Sequence, residues 1–395
     1  MEPWNPVARG ILVTTLVLLI GVPPTLSFVV FPELERRGLS TERAHRTALS
    51  AIGATLIGAG LAGTVLTVGN GQWSDVGSFV TWAGSTVTGR AWAAFIVAVA
   101  VAGAATAGRH VFPDTVSRRA WLGTVLVGAL AMLIAFCWTR YSTAVETPTV
   151  AILVKVVHMG GGAIWVGGLA VLAALPTLMP DDPDGDQARF VLSTVRRFSI
   201  IAVTGVTVAF ATGIVIVAWH VPTLTALATT PYGVLLSVKV GLVLIAAVVG
   251  GFNRFVLHER IASSVRESAD AAVLPGMLTA VSPRIAATDA VSTVTRSVRL
   301  ELAVLALALA LSVALTTAVT PSYELLKPAV AASSEIVRGV EFTRFATLLE
   351  LGAIGVGLTG SLAVGYEAGK FGVDRESPAG RTSQQAREEG GPSRE

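Results

Sequence analysis

Nine apolar stretches, each about 20 residues long, recur along nearly the whole 395-residue chain and decide its architecture. They cover 10–31, 48–69, 91–108, 121–139, 150–175, 200–219, 233–252, 300–320 and 346–365. A barrel strand would be half as long and would alternate in polarity, and these runs do neither. Hydrocarbon offers the backbone no hydrogen-bonding partner, so each run must satisfy itself as a helix. The expected fold class is therefore all-α, a polytopic transmembrane helix bundle of about nine spans. Composition agrees: only 14% of residues are charged, against about a quarter in soluble domains. Pro23-Pro24 inside the first run should kink that helix rather than end it.

The loops assign an orientation. Loops after spans one, three, five and seven, with the tail, hold 21 Lys and Arg; the opposite side holds six, namely Arg9, Arg90, Arg140, Lys327, Arg338 and Arg344. The N-terminus is then outside and the C-terminus inside. Basic residues are scattered rather than gathered into a stripe, which excludes nucleic acid as a partner and leaves the lipid bilayer. The chain divides into a four-span unit over 1–149, a second over 150–321 with a long inner loop at 253–299, an outer loop and ninth span over 322–370, and a disordered cytoplasmic tail over 371–395.

The two four-span units read as tandem copies, with the ninth helix as an extra. Ile11-Leu12-Val13 opens one and Ile152-Leu153-Val154 the other; Arg46 precedes span two as Arg197 precedes span six. Thr88-Gly89 leads into span three as Tyr232-Gly233 leads into span seven. An even number of helices gives both copies the same orientation. Small residues at four-residue spacing (Ala54, Gly58, Ala62; Ala163, Gly167; Gly205, Ala209, Gly213) form ridges for close helix approach.

An ionisable or soft-ligand side chain in hydrocarbon needs a reason to be there. Lys155, His158 and Met159 lie three or four apart on one face of span five, with Trp165 two turns on. His158 lies about 12 Å into the bilayer at 1.5 Å per residue, too deep for bulk hydration. His220 ends span six, Cys137 lies near the outer end of span four, Tyr232 precedes span seven, and Lys239 is inside it. His158, Met159, His220 and Cys137 supply imidazole, thioether and thiol, the soft donors that suit copper(I). Lys155 and Lys239 raise the electrostatic cost of a bare cation there. The carboxylate read inside a span is Glu350. His45, His110 and His258 fall at inner loops, too far away to share a metal with His158. Cys137 is the only cysteine, which excludes an internal disulfide and an iron–sulfur cluster. No Walker A loop or Cys-x-x-Cys-His haem attachment is present, so gradients or partners must drive any transport.

Four stretches between Ala151 and Pro321 resemble the copper resistance D (CopD-like) family of bacterial and archaeal inner-membrane proteins. They are His158–Leu169 with Trp165-Val166-Gly167-Gly168 at its centre; Arg196-Arg197-Phe198-Ser199; Thr230-Pro231-Tyr232-Gly233 running through Lys239 to Asn253-Arg254; and Arg299-Leu300-Glu301 opening a span that closes at Thr320-Pro321. The resemblance implies copper transport or resistance at the cytoplasmic membrane, in the direction of uptake, and no enzymatic activity. It implies copper as the ion handled and an extracytoplasmic copper-binding protein as partner, with His158 as the family-type ligand. The chain departs from the pattern in its few Met and Cys and in lacking a His- or Met-rich outer domain. The alternatives from another class are a membrane haem or redox protein, or a factor that inserts copper into a respiratory oxidase.

Overall fold

The computed structural model describes residues 4–68, 74–141, 148–179, 186–221, 225–252 and 282–316. Among these the regular structure is helix alone: α1 (Trp4–Thr25), α2 (Phe31–Arg36), α3 (Glu42–Val68), α4 (Val76–Ser85), α5 (Val87–Val111), α6 (Arg118–Tyr141), α7 (Pro148–Ala173), α8 (Leu175–Leu178), α9 (Asp186–His220), α10 (Ala226–Thr229), α11 (Pro231–Phe252) and α12 (Ser282–Leu315). Among the described residues eight spans are long and apolar enough to cross a membrane, the first being α1 and α2 joined. The chain is a multi-pass helical membrane protein. The ninth sequence span, Glu350 and the tail lie outside the described residues, as does 253–281 of the long loop.

Two expectations about boundaries change. The region 253–299 is helical from Ser282, because Pro283 falls in the first turn, where its missing N–H costs nothing. The kink at Pro23-Pro24 takes the form of a π-helical turn over Leu26–Val30, after which the helix runs on to Arg36. Prolines deprive the preceding turn of its donors. The Thr25 hydroxyl adds a bond to the Gly21 carbonyl at 2.8 Å, next to the Leu19 and Ile20 carbonyls whose ladder donors the prolines lack.

Helices α1, α3, α5 and α6 close into a four-membered ring, while α7, α9, α11 and α12 form a second unit. In the second unit α7 packs on α9 and α12, and α12 on α11, yet α9 and α11 barely approach each other. Among the described residues the ring is open along that seam. Helices α1 and α7 stand back to back at the centre, where a Cβ on Gly21 would lie 2.8 Å from the Gly167 Cα and would collide with the Ala163 carbonyl. Only bare backbone fits there, as the Ala163–Gly167 ridge anticipated.

The same local device opens the third helix of each unit. Thr86 follows α4, donates its backbone N–H and hydroxyl to the Trp82 carbonyl, and accepts the Gly89 N–H at 2.9 Å. Thr230 follows α10, donates likewise to Ala226, and accepts the Gly233 N–H at 3.0 Å. At both glycines a Cβ would run into the carbonyl of the short helix four residues before the threonine. The units are thus built alike at the point where the tandem reading paired Thr88-Gly89 with Tyr232-Gly233.

At the opposite end of the bundle Glu33, 2% exposed, ties the units together. Its Oε1 accepts from Arg37 Nε at 2.9 Å and from the Ser193 hydroxyl at 2.6 Å; its Oε2 pairs with Arg36 at 2.8 Å and Arg197 at 3.5 Å. Arg43 adds a bond to the Met179 carbonyl at 2.9 Å.

Candidate functional site

The open seam of the second unit is where the ionisable residues gather. From α7, His158 reaches across to α9, and its Nδ1 lies 2.8 Å from the Ala209 carbonyl and 3.4 Å from the Thr212 hydroxyl. That hydroxyl spends its own proton on the Val208 carbonyl, at 2.6 Å. Both neighbours of Nδ1 are therefore acceptors, so Nδ1 carries the proton and Nε2 keeps its lone pair. A carbonyl fixing one ring nitrogen so that the other can bind a metal is the usual outer-sphere arrangement of a ligating histidine.

The small-residue ridge of α9 makes room for this ring. A Cβ on Gly213 would stand 3.2 Å from His158 Cε1, so the imidazole lies directly over the glycine. One turn below, Gly161 and Gly205 bring α7 and α9 together, a Cβ on either being 2.7 Å from the other's carbonyl oxygen. Read from sequence, the ridge carries packing and no chemistry; here it also seats the imidazole.

His220 sits seven residues beyond Gly213, on the same face of α9 and about 10 Å further along it. Its Nδ1 bonds the Ile216 carbonyl at 2.8 Å, which fixes the same tautomer as in His158. The ring stacks on Tyr232, with centroids 6.2 Å apart and planes 11° from parallel. Val221, Ala226, Tyr232 and Leu236 form a small apolar cluster beside it. Lys155, one turn from His158 toward the His220 end, acts electrostatically on both histidines; Lys239 of α11 acts on His158 and is itself acted on by Lys155.

The other two proposed donors pack with the main hydrophobic core. Cys137 is 1% exposed in the main hydrophobic core, and half-buried Met159 packs against that core. Among the described residues no three His, Cys, Asp or Glu side chains form a group able to hold a metal. His45 belongs to the first unit, edge-on to Trp121 and accepting from Arg109 at 3.2 Å, well away from His158.

One intramembrane carboxylate escaped the sequence reading, which placed the only one at Glu350. Glu301 of α12 is 3% exposed and accepts the Trp165 Nε1–H at 3.0 Å. Trp165 is seven residues from His158 on α7, so Glu301 lies about 10 Å below the imidazole on the same side. The signal was present in the Arg299-Leu300-Glu301 motif, one residue inside the start of the eighth sequence span.

Comparison with known proteins places these features. Residues 192–315 match the family model of copper resistance protein D. A 128-residue stretch is 34% identical to the protein named copper transport protein CutJ from Bacillus subtilis (strain 168), covering 32% of this chain and 23% of that relative. No solved structure matches the chain. The family match holds His220, Tyr232, Lys239 and Glu301 but begins after α7, so His158 meets it from outside. The chain is a polytopic helical membrane protein whose residues 192–315 are similar to copper resistance protein D.

Proposed function

We propose that the second unit carries copper(I) across the cytoplasmic membrane, in the direction of uptake. The observation that carries this reading is the His158 imidazole, locked by the Ala209 carbonyl with its Nε2 lone pair available inside a membrane span. The family match and the name of the CutJ relative supply the metal. The basic asymmetry of the loops supports placing the His220 end outside and the Glu33 end inside. Copper enters between His220 and Tyr232, from an extracytoplasmic copper-binding protein. It passes to His158, the member of the proposed donor set that faces the seam; Met159 and Cys137, packed with the core, would join it only by turning out of that packing. It leaves past Glu301 as the two units shift about the α1–α7 contact. The three stations are each about 10 Å apart, so the ion is handed on rather than held by all at once. That spacing disfavours the haem alternative, because His158 of α7 and His220 of α9 stand about 10 Å apart along the seam, too far for both imidazoles to ligate one iron.

His158→Gln preserves volume and polarity but offers copper(I) a harder donor. Bound copper per protein should fall at least tenfold with membrane abundance unchanged, measured by metal analysis after loading under reducing conditions. Wild-type copper content in that variant would end the reading.

A further inference from the structure

Where α6 enters the membrane it stands beside the π-helical turn and α2, and the backbones of α2 and α6 barely approach. Between them runs a groove of about 240 Å³, lined on one side by Ser27, Phe31 and Glu35 and on the other by Arg118, Arg119 and Leu122. The groove is graded from charged to apolar. At its mouth Arg118 pairs with Glu35 and lies over the Phe31 ring, 4.2 Å from the centroid. A guanidinium has five N–H donors, and this pair uses part of that set. Arg119 is exposed and makes no hydrogen bond or ion pair with any described residue. The mouth thus carries two guanidiniums against one carboxylate. Deeper in, Phe31 and Leu122 are each 1% exposed and make the groove's walls apolar. Ser27 is half-buried about 6 Å further along its helix than Phe31, and its hydroxyl donates to no described residue. Phe28 beside it is 67% exposed. The membrane span of α6 begins at Arg118, and the span through α1 and α2 closes at Arg36. The arginines therefore stand at headgroup depth, with Ser27 and Phe28 in the first turns of the hydrocarbon.

We propose that this groove holds one anionic phospholipid, its phosphate on Arg118 and Arg119 and an acyl ester carbonyl on the Ser27 hydroxyl. Planar guanidinium forks suit phosphate oxygens, and a basic pocket between spans at headgroup depth is a recurrent lipid site. The ester of a phospholipid lies below its phosphate, as Ser27 lies below the arginines, and the acyl chain leaves over Phe28. A zwitterionic headgroup brings its own cation against the mouth and gains less there. The lipid ties α2 to α6, which the polypeptide joins through the Arg118–Glu35 pair. Nothing in this site depends on the copper reading.

Full-length protein in neutral detergent is titrated with phosphatidylglycerol or phosphatidylcholine in mixed micelles, and its melting temperature is followed. A lipid that binds the folded state raises that temperature with its concentration. Phosphatidylglycerol should raise it well above phosphatidylcholine in the wild type. Arg119→Gln should melt like the wild type without lipid and need about fivefold more phosphatidylglycerol for the same rise, the share of one basic residue at an anionic surface. Ser27→Ala, which leaves every charge in place, should weaken the same response about twofold. Arg296→Gln is the control: it removes an exposed arginine from α12, whose other end packs against the His220 cluster, so Arg296 belongs to the same end of the bundle as the groove. Its response should stay that of the wild type. Equal rises with the two lipids in the wild type overturn the site, as does a wild-type response in both Arg119→Gln and Ser27→Ala. An equal loss in Arg296→Gln also overturns it, since the general charge of that end would then hold the lipid. A rise of the same size with inorganic phosphate overturns the lipid as occupant.

Discussion

A single buried carboxylate can be read as a station or as mere packing, and its partner decides how costly it is to disturb. Glu301 receives the Trp165 indole N–H at 3.0 Å. Trp165→Phe removes that donor and leaves the carboxylate one hydrogen bond short in a site 3% exposed, which should cost about 1–3 kcal/mol. Adding Glu301→Gln removes the buried charge, so the double variant should melt closer to wild type than Trp165→Phe alone. Thermal unfolding of the three variants in one detergent checks this, and strict additivity would show that the bond carries nothing. At this scale the sequence was half legible. His158 stood out because an imidazole eight residues into an apolar run has no bulk water. Its carbonyl partner did not, because Ala209 is 51 positions away and any backbone carbonyl looks the same in a sequence. Cys137 and Met159 look alike as donors on paper, and only packing shows that both turn to the core.

Whole helices were legible where hydropathy and helix coincide and illegible where they part. The span read at 200–219 begins at Asp186 as a helix, since Arg189, Arg196 and Arg197 end the apolar run without ending the hydrogen-bonded ladder. Hydropathy measures the bilayer, not the helix. The small-residue ridges were legible, although their partners were not. Gly167 tests the central one. A Cβ there would lie 2.8 Å from the Gly21 Cα and 2.9 Å from the Val17 carbonyl oxygen, and backbone cannot swing aside as a side chain can. Gly167→Ala should therefore destabilise by about 1–3 kcal/mol, as overpacking does. Gly160→Ala and Gly162→Ala, whose added methyls meet nothing within 4 Å, should be neutral or slightly stabilising because alanine prefers helix. Melting temperatures that fail to separate Gly167 from its two neighbours would place α1 further from α7 than described.

Across the whole molecule the question is what keeps two like-built units in register, and the arginine knot on Glu33 is the strongest polar answer. From sequence Glu33 reads as a loop residue just past the first span, because hydropathy cannot show that α9 folds back over it. Its four partners come from α2 with its C-capping Arg37 and from α9, one from each unit. Glu33→Gln keeps the shape and an acceptor for Ser193 but leaves Arg36, Arg37 and Arg197 without their shared counter-charge. Breaking a fully buried pair this way costs about 3–5 kcal/mol. Here the Arg36 and Arg197 side chains are 50% and 42% exposed and can be rehydrated, so the loss should be smaller, about 1–3 kcal/mol. Arg197→Met alone should cost less than Glu33→Gln, since that pair is long, at 3.5 Å, and half in water. Salt gives the distinguishing signature. Raising ionic strength to about 1 M shortens the screening length to roughly 3 Å, which weakens the exposed arginines' share but not the bonds made to the buried carboxylate. The melting-temperature gap between wild type and Glu33→Gln should then narrow without closing. A gap that vanishes in salt would make the knot a surface ion cluster, and no gap at all would leave the α1–α7 contact as the main tie between the units.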